Sequence, residues 1–467
     1  MSEQYIKPNI PSKSFCTLPW THLNIQPNGE IFPCCMAPYN KAIGNISKNT
    51  LEEIWNGDDM KNIRKEMLSG KRPETCKRCF LLEDNNIISP RTHHNHFFKD
   101  RIEHFVENTN PETGEFNEFK LKYWDFRWSN RCNFKCRMCG VFSSSKWYED
   151  AKVIHGHDSE TKGIYQFNIN GKENVFDLVD KFIYDVEEIY FAGGEPLVMD
   201  ENYLILEKLI EAGRTDVTLR YNTNFSHLTY KKWDLFDMWM KFQNDPKGSV
   251  SLFASLDAAG ELAEVVRNGT NWPRVEENLK KCIDAGINVV FSPTVSLLNM
   301  YHIDKLIESA ERVGLNPNSF SVHNLLTDPQ YYDIRLLPDY LKESFINKLK
   351  NYKENGCPNN FKIIVANAFN NYHPRGLDEF LRIQTKSLFD KFNWNAYLHK
   401  TTPYTAFVQK FVELDKLMNP KDWGGHYEFY EKMAWPPKYL TNCIHPNVDG
   451  YKVIAEELHK FIKRNAD

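Results

Sequence analysis

Three cysteines, Cys132, Cys136 and Cys139, fall within the eight residues Cys132-Asn133-Phe134-Lys135-Cys136-Arg137-Met138-Cys139. Three thiolates on one short loop can hold three irons of a cubane cluster, and the loop supplies no fourth ligand. A closed structural site fills every metal position, whereas an open one lets a substrate or cofactor bind the metal. Taken alone, the same spacing also suits a structural zinc. Five more cysteines stand upstream, Cys16, Cys34, Cys35, Cys76 and Cys79, so eight of the 11 lie between residues 16 and 139. In a reducing compartment, cysteines grouped in this way read as metal or cluster ligands before they read as a disulfide framework.

The elements that must position these thiols follow from the hydrophobic pattern. The loop comes directly after a strand-like run at 121–129. Further strand-like runs at 187–194, 217–224, 250–257, 287–296 and 320–326 alternate with amphipathic helical segments at 203–213, 273–286 and 301–314. Alternation of this kind implies a parallel sheet with right-handed crossovers. The fold class expected is α/β, an open or partial (β/α)6 TIM-like barrel over 119–326, with functional groups at the strand C-terminal ends.

Residues 1–83 read as a small cysteine-rich module. Asn28-Gly29 marks a hairpin, and Thr50-Leu51-Glu52-Glu53 starts a helix with a capping box. That helix is expected to run on to about Gly70, with Gly57 as an internal weakness. The apolar mass is small, which suits a metal-stapled unit. Residues 84–118 read as a polar linker. His93, His94, His96 and His104 on it raise a second metal, but a solvated connector is the plainer reading. Residues 327–467 read as a mostly helical C-terminal region.

The chain has 467 residues, a formal net charge of −4, 41% hydrophobic and 14% aromatic residues. That argues for packed domains and against general disorder. It gives no global footprint for an extended nucleic acid. No stretch approaches the ~20 apolar residues of a membrane helix, and Met1–Lys13 lacks a secretory apolar core. A cytoplasmic location is expected, with no membrane partner.

The loop and its placement resemble the Cys-x-x-x-Cys-x-x-Cys loop of radical S-adenosylmethionine (radical SAM) enzymes. Gly193-Gly194-Glu195-Pro196 resembles that family's Gly-Gly-Glu-Pro motif: glycines permit close backbone approach to a ligand, and the carboxylate can accept from an ammonium group. Asn224 ends the third strand-like run, and Ser255 and Asp257 end the fourth. The resemblance implies that these three lie near the ribose and methionine parts of S-adenosyl-L-methionine, and that Arg267 of Arg267-Asn268-Gly269 faces its carboxylate. Met138 stands where many members carry an aromatic residue near adenine; methionine can fill that space flexibly. The cofactors implied are a 4Fe–4S cluster on Cys132, Cys136 and Cys139, together with S-adenosyl-L-methionine. The implied chemistry is reductive cleavage to a 5′-deoxyadenosyl radical that abstracts hydrogen from substrate, fed by an electron donor such as a flavodoxin or ferredoxin.

The first 80 residues are similar to the auxiliary-cluster SPASM or twitch domain, in the order Cys16, Asn28-Gly29-Glu30-Ile31-Phe32-Pro33-Cys34, Gly44-Asn45-Ile46, Leu51-Glu52-Glu53-Ile54-Trp55, Cys76-x-x-Cys79. In that family the module usually follows the barrel, and here it precedes it. The resemblance implies a second, auxiliary 4Fe–4S cluster on Cys16, Cys34, Cys76 and Cys79, with Cys35 competing for the place of Cys34. A zinc on four thiolates is the alternative. Relatives with such modules often modify peptides or proteins, so a peptide or protein substrate is expected, against a nucleotide or small metabolite. A zinc-stapled, non-catalytic binding protein is the rival class. Near the C-terminus, Asn442 to Tyr451 is similar to the last motif block of SGNH-type esterases. However, Asn442 replaces the aspartate expected three residues before His445, and no Gly-Asp-Ser block lies upstream. The segment therefore reads as the start of an amphipathic helix.

Overall fold

The computed structural model describes residues 9–84, 88–150, 175–315, 319–320, 324–326, 332–334, 440–441 and 445–446. In chain order the strands used below are β1 (His22–Ile25), β2 (Glu30–Phe32), β3 (Gly44–Asn45), β4 (Tyr123–Phe126), β5 (Lys135–Cys136), β6 (Glu188–Phe191), β7 (Thr218–Thr223), β8 (Thr229–Tyr230), β9 (Trp233–Asp234), β10 (Ser249–Ala254), β11 (Arg267–Asn268) and β12 (Asn288–Phe291). Eight of them share one sheet in the order β12-β10-β7-β6-β4-β1-β2-β3. The β1–β4, β4–β6 and β6–β7 pairs are parallel, while β1–β2 and β2–β3 are antiparallel. This is the mostly parallel α/β architecture expected. The helices Asp200–Glu211, Trp272–Asp284 and Ile303–Arg312 fall where the amphipathic pattern put them. The chain divides into two compact units: Met1–Arg131, Ile164–Asn222 and Thr229–Ser251 form one, and Cys132–Gly163, Thr223–Leu228 and Leu252–Asp467 the other.

In the first unit, the N-terminal hairpin closes as its Asn-Gly signal requires. The Gln26 N–H donates to Glu30 O at 2.9 Å, and Gly29 N–H donates to Gln26 O at 2.8 Å, with Gly29 at φ +82°. Its first strand then lies beside β4, His22 opposite Tyr123 and Asn24 opposite Asp125. The cysteine-rich module therefore extends the parallel sheet. A short hairpin with little apolar mass gains its core this way, and β4 gains a partner for an edge that would otherwise be unpaired. Register and the two-residue period place Leu23, Ile25, Trp124, Phe126, Ile189, Phe191, Leu219 and Tyr221 on one face, all buried. Each large apolar side chain there contributes about 1.5–3 kcal/mol by leaving water. The opposite face carries His22, Asn24, Tyr123, Asp125, Glu188, Tyr190 and Arg220.

Two expectations for this unit change. The helix after Thr50 is two helices, Leu51–Trp55 and Asp58–Leu68, with Gly57 as the N-cap of the second. Asn56 explains the break. Its side chain donates to Phe116 O at 3.0 Å and accepts from Phe116 N at 3.1 Å and from Arg64 Nη1 at 2.8 Å, anchoring the chain at the turn. The capping box itself forms, with the Thr50 and Glu53 side chains each taking the other's backbone N–H. Second, part of 84–118 is not a solvated connector. Helix Pro90–Phe97 starts at a Ser89–Thr92 capping box, and Arg91, His94 and Asn95 are buried. The polar composition is spent inward: Arg91 and Asn95 donate to Phe15 O, and Thr17 N–H donates to Asn95 Oδ1 at 2.9 Å, bracketing Cys16.

In the second unit, β5 pairs antiparallel with β11, setting Cys136 opposite Arg267. The helix Trp272–Asp284 begins at an Asn271 cap with Pro273 in its first turn, the expected start chemistry. The helices expected over 327–467 lie outside the described residues, as do Asn442, Asp449 and the segment after it. The backbone of His445–Pro446 pairs antiparallel with Leu440–Thr441. Among the described residues no helix is long and apolar enough to cross a membrane.

Candidate metal centres

The three-cysteine loop is tied down by its own unit. Arg137 N–H donates to Val266 O at 2.9 Å beside the β5–β11 pairing. Arg267 donates twice to Asp257, Nε to Oδ2 at 2.7 Å and Nη2 to Oδ1 at 3.1 Å, a bidentate pair. Asp257 is 2% exposed and also accepts from Thr294 N–H at 2.8 Å. Held in this way, Arg267 aims Nη1 at Cys136 Sγ, 3.7 Å away, and Phe134 N–H donates to Cys132 Sγ at 3.4 Å. A hydrogen bond from Cys139, with the Arg267 charge, lowers the Cys136 pKa despite burial. The same hydrogen bond and burial raise Cys139. Sulfurs faced by N–H and guanidinium donors fit the thiolates that bind metal.

Asn133, inside the loop, accepts from Asn224 Nδ2 at 3.0 Å and donates to Ser226 Oγ at 2.8 Å. The turn carrying Asn224 and Ser226 has Phe225 at φ +57°, a left-handed conformation uncommon for a bulky residue. Asn278 Nδ2 holds Phe225 O at 2.8 Å. Ser255 N–H donates to Thr223 O at 2.8 Å. The structure thus brings Asn224, Ser255, Asp257, Arg267 and the three cysteines into one unit, with Met138 half-buried in the loop. Asn133 and Asn278 escaped the sequence reading. Asn133 could have been suspected from its place between ligand-type cysteines, whereas a mid-helix asparagine gives no signal.

Gly193, Gly194 and Glu195 lie in the first unit, after β6. A Cβ on Gly194 would stand 2.1 Å from the Arg131 carbonyl oxygen, so no side chain fits. Gly193 has φ +120°. The Gly194 and Glu195 N–H groups donate to Ser129 O at 3.2 Å and Arg131 O at 2.8 Å. The close approach that these glycines allow is therefore to the backbone just before Cys132. Glu195, 3% exposed, caps the short helix Pro196–Val198 by accepting from Leu197 N–H at 3.1 Å.

The N-terminal cysteines are free thiols. Burial, then the neighbouring Cys76 and Cys79, holds Cys16 well above its ordinary value; burial, then Cys35, Cys76, Cys79 and Cys16, does the same for Cys34. Burial and Cys79 push Cys76 up to about 12. Four thiols, Cys16 and Cys79 buried and Cys34 and Cys76 half-buried, close enough for thiolate repulsion to be felt at Cys16, Cys34 and Cys76, are a donor set that a metal or cluster relieves. Cys35 differs: after burial, its largest influences are Asp125 and Arg127 on the polar face of the sheet.

Residues 126–310 match the model of the radical SAM superfamily, and residues 16–80 match that of SPASM, an iron–sulfur cluster-binding domain. The chain carries a radical SAM domain over 126–310 and a SPASM domain over 16–80. The cofactors these domains imply are a 4Fe–4S cluster, S-adenosylmethionine and an auxiliary iron–sulfur cluster, and the donor sets described above fit these groups. Among solved structures, native anSMEcpe with bound AdoMet is similar at a TM-score of 0.35 and 17% identity, over 50% of this chain and 61% of that one. Native anSMEcpe with bound AdoMet and Kp18Cys peptide is similar at a TM-score of 0.33 and 14% identity, over 73% of this chain and 97% of that one. The radical SAM chain thus spans about three fifths of the first of these structures. No curated protein matches it.

The polar sheet face of this radical SAM protein is a feature the sequence reading passed over. Asn24 Nδ2 donates to Asp125 Oδ2 at 2.7 Å, and Arg127 Nε to Asp125 Oδ1 at 3.1 Å. Arg220 Nη1 donates to Glu188 Oε1 at 2.9 Å. The His22 ring stacks on Tyr123 at 4.3 Å, and its Nδ1 lies 3.1 Å from Tyr123 O. The available signal was the alternation itself, with polar side chains at every second position of His22–Ile25, Tyr123–Phe126, Glu188–Phe191 and Thr218–Thr223.

Proposed function

We propose that this radical SAM enzyme cleaves S-adenosylmethionine reductively at a cluster held by Cys132, Cys136 and Cys139, and that the substrate losing hydrogen is a peptide or protein. The observation that carries the first part is the three-thiol loop, clamped by the Arg267–Asp257 pair and faced by N–H and guanidinium donors. When bound, the cluster supplies the electron that generates a 5′-deoxyadenosyl radical. Arg267 steadies the thiolate at Cys136, and Asp257 fixes the guanidinium in that pose. Within the second unit, Asn224, Ser255 and Met138 form the surroundings of the cofactor.

Cys16, Cys34, Cys76 and Cys79 hold the second cluster, and Cys35 is not a ligand. Asp125 and Arg127, ahead of any cysteine among the neighbours acting on Cys35, support that choice. A flavodoxin or ferredoxin type of donor supplies the electron. The proposed organisation is a cluster module over 1–83, a connecting segment over 84–118, a core over 119–326 and a further region over 327–467. A peptide or protein substrate follows from the use that relatives with such modules make of them.

The test is iron, sulfide and zinc content on anaerobically reconstituted protein, with 5′-deoxyadenosine measured on the same sample. About eight irons per chain, as for two cubanes, and reductant-dependent 5′-deoxyadenosine are expected. Zinc without iron and no cleavage would overturn the reading. A peptide pool that accelerates 5′-deoxyadenosine formation and changes mass supports the substrate class; a nucleotide pool doing so in its place replaces it.

A further inference from the structure

On the polar face of the first unit, His93, His94 and Glu188 each bring one ligand-type atom to within 4.8 Å of the others. Glu188 opens β6, and the two histidines sit on the helix Pro90–Phe97, whose start is fixed by its capping box. Their rings lie 4.9 Å apart at 88°, so neighbouring residues present different edges. Glu188 is 0% and His94 3% exposed.

The hydrogen bonds around these groups leave acceptors pointing inward. His94 Nδ1 lies 2.8 Å from Pro90 O. A carbonyl only accepts, so Nδ1 carries a proton, and in the neutral ring Nε2 offers a lone pair. This is the arrangement by which a backbone carbonyl orients a metal-binding imidazole. His94 Nε2 stands 3.5 Å from Glu188 Oε2, an ion pair when the ring is protonated; with the ring neutral both atoms are acceptors, and among the described residues no other group donates to either. Arg220 Nη1 donates to Glu188 Oε1 at 2.9 Å and lies 3.2 Å from His93 Nε2. A guanidinium only donates, so His93 Nε2 is a lone pair as well. Buried acceptors without donors cost free energy, and each such atom in a native fold needs a reason.

We infer that His93, His94 and Glu188 form a mononuclear site for a divalent first-row transition ion, distinct from both cysteine sets. Two imidazoles and one carboxylate suit such ions and leave coordination positions for water or for an oxygen- or nitrogen-bearing substrate group. Arg220 already donates to two of the three groups. The ion takes over its contact with His93 and leaves Glu188 Oε1 to Arg220 as an outer partner.

The experiment uses the full chain, reconstituted anaerobically with its iron–sulfur clusters and dialysed against Co2+. One cobalt per chain should be retained. Cobalt-edge X-ray absorption should show a nitrogen and oxygen first shell with imidazole scattering. His94→Gln and Glu188→Gln should each weaken retention at least about a hundredfold, with iron and sulfide contents unchanged. Cobalt held through sulfur, or held equally by both variants, overturns the inference. Should either variant fail to fold, the wild-type spectrum decides: no retained cobalt, or sulfur in its first shell, refutes the site. Iron content and 5′-deoxyadenosine report separately on the radical SAM reading.

Discussion

The two cysteine sets solve the same problem by opposite routes. Cys132, Cys136 and Cys139 sit within eight residues, and a two-residue strand pairing with an arginine clamp orients them. Cys16, Cys34, Cys76 and Cys79 are spread over much of the N-terminal module, and only its packing brings them together. On the proposed assignment the local set offers three thiols and so an open metal position, and the dispersed set offers four and closes. Damage to the first should therefore silence chemistry while leaving the fold. Damage to the second should remove metal and loosen a module whose hairpin is part of the sheet.

The largest effect tests the local set. Replacing Cys132, Cys136 or Cys139 with alanine should reduce 5′-deoxyadenosine formation to background while leaving about four irons per chain. A triple variant that still cleaved would break the comparison. Next comes the dispersed set. Cys34→Ala should lose about four irons per chain, whereas Cys35→Ala should keep about eight, by iron analysis of reconstituted protein. Equal losses would place Cys35 among the ligands.

The hairpin's share in the sheet gives a third test. Burial lowers His22 to about 4, against an unfolded value near ~6.5. Between these values the unfolded chain binds more protons than the folded one. The stability from a neutral His22 is thus fully present above ~6.5 and lost as pH falls towards 4, about 3 kcal/mol in all. Chemical denaturation across that range should show the loss, and His22→Gln should flatten the slope. An unchanged slope would mean that β1 is not anchored as described. Smallest, Thr50→Ala removes one half of the capping box at Leu51–Trp55 and should cost about 1 kcal/mol, read as a modest drop in Tm with iron content retained.

Legibility in the sequence followed the range of the interaction. Strand positions at Tyr123–Phe126, Glu188–Phe191, Thr218–Thr223, Ser249–Ala254 and Asn288–Phe291 were readable because alternation and turn residues act over a few residues. The Thr50–Glu53 box and the Asn28-Gly29 turn were readable for the same reason. The break at Gly57 was only half visible, because its cause, Asn56 bonding to Phe116, lies sixty residues away. The buried helix Pro90–Phe97 was misjudged for a related reason. Polar residues imply solvent unless distant backbone takes their hydrogen bonds, and the Phe15 carbonyl does so here.

The sequence by itself determined which residues can bind metal, that three of them stand close enough to act on one ion or cluster, and where strands and helices begin, since spacing and local propensity are properties of short segments. Only the tertiary structure decided that the N-terminal hairpin joins the core sheet through β4. It also set Asp257 to hold Arg267 against Cys136, and gathered His93, His94 and Glu188 on one polar face. Those outcomes depend on strand register and on hydrogen bonds between distant segments, which no local pattern encodes.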